Sequence, residues 1–310
     1  MDALDAVADS VRLALRGNVR AACDVVDAAV RSFSLSYSAH PPAALYRAVR
    51  ATRKAATDAL ERPLDAVTAR RLHNARGWGS ALLGNLAHHL GDPQAAGAHL
   101  SDARHLADVT GDSRLISWTF GAAAMVARDR GDFYDARSLA VAAFDTAPGA
   151  HQRSAMAAWA RMRAAAALRD TVAAEEARDD AEKLFEADTP GRFGFDRAAL
   201  LLHLAESYLD LARPDEALEH AEASAGLVAR RRPAWAAARL TVARAHAAAG
   251  RWDAAELYAH EVLDAHEPAR LRSTARARLA ALVRTGRTPR LAERVRDLPV
   301  LVRGLTDTNG

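Results

Sequence analysis

Residues 83–96 read Leu83-Gly84-Asn85-Leu86-Ala87-His88-His89-Leu90-Gly91-Asp92-Pro93-Gln94-Ala95-Ala96. An apolar, helix-forming run stops at Gly91-Asp92 and restarts at Ala95-Ala96. The same punctuation returns at Gly131-Asp132, Gly250-Arg251 and Gly286-Arg287. From Gly91 to Gly131 is 40 residues, and from Gly131 to Gly250 is 119, close to three such steps. Two degenerate turns fill that gap, at Leu168-Arg169-Asp170 and at Ala212-Arg213-Pro214-Asp215. A period in this range marks a helical repeat.

The composition agrees. Ala supplies about a quarter of the chain, Leu and Arg are abundant, and Ile116 is the only isoleucine. Strong helix formers therefore dominate while strand formers are scarce. No alternating run with hairpin turn chemistry stands out. The expected fold is all-α, a right-handed solenoid of about six to seven antiparallel helix pairs.

Cys23 is the single cysteine, which rules out an intramolecular disulfide and a thiolate metal cluster. The first residues, Met1-Asp2-Ala3-Leu4-Asp5, carry acids where a signal peptide carries bases. The apolar stretch from Ala155 to Leu168 is broken by Arg161 and Arg163 and is too short to span a bilayer. A cytoplasmic protein with no membrane partner is the expectation. The formal charge of +3 hides an asymmetry: between Pro268 and Arg303, ten arginines face only Glu293 and Asp297. Such a basic end suits nucleic acid, an acidic partner, or simply a solvated helical face.

Several segments resemble one set of proteins. These are Ala43 to Leu60, Gly77 to Ala103, Arg192-Phe193-Gly194-Phe195-Asp196 leading into Leu204-Ala205-Glu206-Ser207-Tyr208-Leu209, and Pro233-Ala234-Trp235-Ala236-Ala237-Ala238-Arg239-Leu240. Together they resemble the tetratricopeptide sensor half of Cro-repressor-like (XRE-type) helix-turn-helix regulators of high-GC bacteria, over about residues 20 to 285. The resemblance implies small residues at the eighth, twentieth and twenty-seventh positions of each unit, where two helices cross closely. The chain supplies Gly84, Ala96, Ala103; Ala124, Ala136, Ala143; Met162, Ala174, Ala181; Ala205, Ala217, Ser224; and Ala243, Ala255, Val262. All but Met162 and Val262 are Gly, Ala or Ser. Residues 1–62 then read as a degenerate helical cap, with Pro63 opening the long helix to Leu90. Residues 63–187 form a first block, 188–196 a loop, and 197–310 a second block with the basic end. The DNA-binding bundle of those regulators has no counterpart in the first 20 residues, so no sequence-specific DNA binding by the chain itself is expected.

The resemblance also implies which positions face a concave groove. Trp78, Asn85, Trp118, Met125, Arg128, Trp159, Arg163, His203, Glu206 and Arg244 are the candidate ligand-binding residues, with Leu82, His88, His89, Asp129 and Asp210 beside them. Trp offers a rigid apolar anchor, Arg forks onto carboxylates, and Asn pairs with amides. The expected function is non-enzymatic: a regulatory or adaptor protein that holds a peptide or protein partner, itself a regulator in one version, with a small-molecule ligand as a further option. The alternative is a small-molecule enzyme or receptor of specialised metabolism using His203 and Glu206, which share a face at i,i+3. No P-loop, dinucleotide fingerprint, nucleophile elbow or zinc motif is present, and no cofactor or metal is expected. His88, His89, His99 and His105 lack metal-ligand spacing and are expected at helix ends or in solvent.

Overall fold

The computed structural model describes residues 3–37, 39–186, 195–230, 232–267 and 271–296. Among these residues every regular element is a helix. The first half contains α1 (Ala3–Arg16), α2 (Val19–Leu35), α3 (Pro42–Leu60), α4 (Ala66–Leu90), α5 (Pro93–Thr110), α6 (Ser113–Arg130) and α7 (Phe133–Thr146). Then come α8 (Ala150–Met156), a π-helical turn (Ala157–Met162), α9 (Arg163–Ala167) and α10 (Thr171–Lys183). The second half contains α11 (Arg197–Asp210), α12 (Pro214–Gly226), α13 (Pro233–Ala248), α14 (Trp252–Ala265), α15 (Ser273–Val283) and α16 (Pro289–Arg296). No helix among the described residues is long and apolar enough to cross a membrane.

The turns repeat in detail. The amide of Asp92 donates to the Ala87 carbonyl, Asp132 to Ala127, Asp170 to Ala165, Arg213 to Tyr208 and Arg251 to His246, all at 2.8–3.0 Å. This is the six-to-one bond of a Schellman cap. It needs a left-handed residue just before it, and Gly91, Gly131 and Gly250 provide φ of 84°, 89° and 77°. The two degenerate turns form the same cap without glycine: Arg169 and Ala212 are forced to φ of 59° and 60°. One boundary differs from the sequence reading. Helix α4 begins at Ala66 rather than at Pro63, because the Asp65 carboxylate caps it, accepting from Val67 N at 3.1 Å and Thr68 N at 3.0 Å.

Helices pack on their chain neighbours, α4 on α5, α6 on α7, α11 on α12 and α13 on α14. They also pack on the helix after next, as α2 does on α4, α4 on α6, and α11 on α13. The small positions sit at these crossings. A Cβ at Gly84 would fall 2.7 Å from Leu100 Cγ. Ala96, Ala103, Ala136, Ala143, Ala174, Ala181, Ala205 and Ala217 have no solvent exposure at all. Seryl hydroxyls pin successive pairs at matching places: Ser117 Oγ donates to the Ala143 carbonyl, Ser154 to Ala181 and Ser224 to Ala198. Met162, fully buried, takes a small position at the end of the π turn. The wider turn absorbs one extra residue between Ser154 and Met162, which restores register with the other pairs.

The chain also returns on itself. Ser273 Oγ, at the start of α15, donates to the carbonyl of His88 at 2.9 Å, and Arg272 reaches the Tyr37 carbonyl at 3.3 Å. Helix α15 thereby packs on α4, and the first helices of the successive pairs surround an internal space.

Candidate ligand-binding cavity

That space is a cavity of about 620 Å³. Its wall comes from the first helix of each pair, α4, α6, the α8–π–α9 run, α11 and α13, with α15 closing it. Every candidate residue except Trp78 lines it: Asn85, Trp118, Met125, Arg128, Trp159, Arg163, His203, Glu206 and Arg244. On three of these helices an apolar contributor precedes a charged one. Helix α6 runs from Trp118 to Arg128, the next from Trp159 to Arg163, and α13 from Ala237 to Arg244. Ten residues at 1.5 Å rise place Trp118 and Arg128 about 15 Å apart along α6.

At the apolar end the Trp118 and Trp159 rings stack, centroids 4.6 Å apart and planes 27° from parallel. The stack is held closely from behind, since Gly121 lies so near that a Cβ there would sit 2.9 Å from Trp159 Cζ3. The π turn carries Trp159, so the irregularity that keeps register also aims this ring.

The charged end is organised by Glu206, only 5% exposed. Arg163 Nη1 lies 3.1 Å from one carboxylate oxygen, and Arg278 of α15 donates to the other. Burial alone would raise the Glu206 pKa, but Arg163 and Arg278 override it and hold the carboxyl well below the usual range. Arg163 also faces Asp210 at 3.5 Å, so Asp210 serves as a second counter-ion. Asp129 is engaged likewise, by Arg128 at 2.9 Å and His88 at 3.1 Å. His203 is neutral, its pKa pulled down to about 3 by burial against the opposing pull of Glu206. An ionised carboxylate saturated by two guanidinium groups, beside an imidazole this hard to protonate, leaves neither group poised for proton transfer near neutrality.

Other positions depart from the sequence expectation. Trp78 is buried away from the cavity: its indole N–H donates to Asp112 at 3.0 Å, which also takes Asn74 at 2.8 Å while capping α6. It is an inter-pair strut. Leu82 is wholly inside the core. His88 and His89 stand in the last turn of α4, at a helix end as expected, but α15 covers that end and makes both part of the cavity wall rather than solvent-facing. His99 bonds the Tyr46 hydroxyl at 3.0 Å.

The basic end is not one free face. Arg272 and Arg278 point inward, Arg294 pairs with Asp264 at 2.8 Å, and Arg287 lies over the Trp252 ring. Arg284 and Arg290 are exposed. Arg270, Asp297, Arg303 and residues 188–194 of the expected loop lie outside the described residues. Arg272 and Arg278 are among the cavity residues that the groove pattern did not supply, with Tyr37, Phe195, Arg232 and His266. For Arg272 and Arg278 the only sequence signal was membership of an arginine-rich segment. No protein-family model matches the sequence, and no curated protein matches it either.

Proposed function

We propose that this chain is a non-enzymatic regulatory protein built of tetratricopeptide-type helix pairs wound as a solenoid, and that it senses a small ligand held inside the winding. The closure of α15 onto α4 carries this reading. An extended peptide needs a groove open along its length, whereas a cavity of about 620 Å³ has the size typical of small-molecule sites, which run to roughly 300–1,000 Å³. The state of Glu206 and His203 supports binding over catalysis. The likeness to regulator sensor halves supports a regulatory role, with ligand occupancy altering the α15–α4 contact and through it a surface seen by a protein partner.

To test this, the purified chain is incubated with the small-molecule fraction of a bacterial lysate, separated by gel filtration and denatured, and the released species are read by mass spectrometry. The reading expects one or a few metabolites retained unchanged by the wild type and lost on Trp159→Ala. Retention of peptides or proteins alone would return the function to partner binding in the groove. Chemical turnover of a retained species would make the chain an enzyme.

A further inference from the structure

The charges on the cavity wall do not balance. Glu206 is consumed by Arg163 and Arg278, Asp129 by Arg128 and His88, and Asp196 by capping α11 through the Ala199 amide. The six arginines that line the cavity outnumber its three carboxylates, and only Glu206 and Asp210, both already facing Arg163, act at longer range on Arg244. It makes no hydrogen bond or ion pair to any described residue, yet it lines the cavity. Among the described residues, Arg272 has only the Tyr37 carbonyl and the Tyr37 ring, 4.9 Å away. An arginine cannot shed its proton to escape such a site, and a desolvated charge without a counter-ion is costly. His203, also on the cavity wall, has an Nδ1 nitrogen without a hydrogen-bond partner.

Resting on the small-ligand reading above, we infer that the ligand is a small organic anion: a carboxylate or phosphate head received by Arg244, with His203 in its Nδ1–H tautomer completing its hydrogen bonds, and a flat apolar body against the Trp118–Trp159 stack. Carboxylate and phosphate share the acceptor geometry that fits a guanidinium fork. The stack supplies a rigid planar wall, which favours an aromatic or conjugated body.

The probes are 2-naphthoate, 2-naphthyl phosphate and the uncharged 2-naphthamide, titrated calorimetrically into the full chain. The inference expects at least one anion to bind about tenfold or more tighter than the amide, the scale of one charge-assisted contact. Which anion wins identifies the head. In Arg244→Gln the preference collapses, while the melting temperature of the empty protein rises, because an unmatched cation has been removed. Arg284→Gln, which deletes an exposed arginine of equal charge, leaves the preference intact. Equal binding of the amide overturns the anion inference and leaves the small-ligand cavity standing. A preference that survives Arg244→Gln, or no binding by any probe at millimolar concentration, also overturns it; the lysate-retention experiment judges the cavity separately.

Discussion

The hydroxyl of Ser273 and the carbonyl of His88 meet at 2.9 Å although 185 residues of chain separate them. A linear stack of repeats has contacts only between neighbours, so this bond belongs to the closure and not to the stack. Ser273→Ala removes one part-buried hydrogen bond, with a net cost of about 1 kcal/mol. Hydrogen exchange should then speed up in α15 ahead of the other helices. Uniform acceleration across the chain would mean that closure and stack unfold as one unit.

Among the described residues, Glu206 is the only carboxylate touching both Arg163 and Arg278. Glu206→Gln leaves two guanidinium groups facing each other in the cavity, and removing one partner from a buried charge cluster costs roughly 3 kcal/mol or more. Urea unfolding of the variant should show this as a lower midpoint. A change below 1 kcal/mol would mean that water screens the cluster well.

Acid should destabilise the protein before the carboxylates protonate. His203 is pulled down to about 3 and His99 to about 4, both mainly by burial, and His89 also lies well below its usual value. Each titrates near 6.5 once unfolded, so below that pH the unfolded chain binds more protons. Stability is therefore full above about pH 6.5 and falls as pH drops towards the folded values, by about 1.4 kcal/mol per pH unit for each such histidine. His203→Gln should flatten the slope between pH 6 and 4. An unchanged slope would show that His203 protonates freely in the folded state.

The repeat was legible because its physics is local. A helix stop needs a left-handed residue and a crossing needs a small one, and both leave marks at fixed spacing even at Arg169 and Ala212. The cavity wall was partly legible for the same reason, since alternate helices place the same face inward. Trp78 broke the pattern through a tertiary event, the arrival of Asp112 from the following turn as its partner. The roles of His88, His89, Arg272 and Arg278 all depend on α15 folding back across the chain. No periodicity encodes which arginines in a basic segment will turn inward.

Those two non-glycine turns are a testable weakness. Arg169 and Ala212 hold φ near 60°, a region that costs side-chain-bearing residues about 1–2 kcal/mol. Glycine relieves that strain but gives back some unfolded-state entropy. Arg169→Gly and Ala212→Gly should each stabilise by about 0.5–1 kcal/mol and add when combined, being in separate turns. Gly131→Ala should do the reverse. Thermal melts of the four variants test the set, and a destabilised Ala212→Gly would mean that the turn is held without strain.

The stacked tryptophans rest on the absence of one methyl group. Gly121 on α6 faces the π turn, and a Cβ there would lie 2.8 Å from Met156 Sδ and 2.9 Å from Trp159 Cζ3. Met156 can yield, being flexible, but the Trp159 ring is held against Trp118 and has less room. Gly121→Ala should therefore push Trp159 off its partner, at an overpacking cost of about 1–3 kcal/mol offset in part by the helix propensity of alanine. The signature is spectroscopic: near-ultraviolet circular dichroism from the coupled indoles weakens while helix content holds. Trp118→Phe should weaken the same signal without the overpacking cost, which separates loss of the stack from general loosening. An undiminished indole signal in Gly121→Ala would show that Met156 alone makes way, leaving the apolar end of the cavity unchanged.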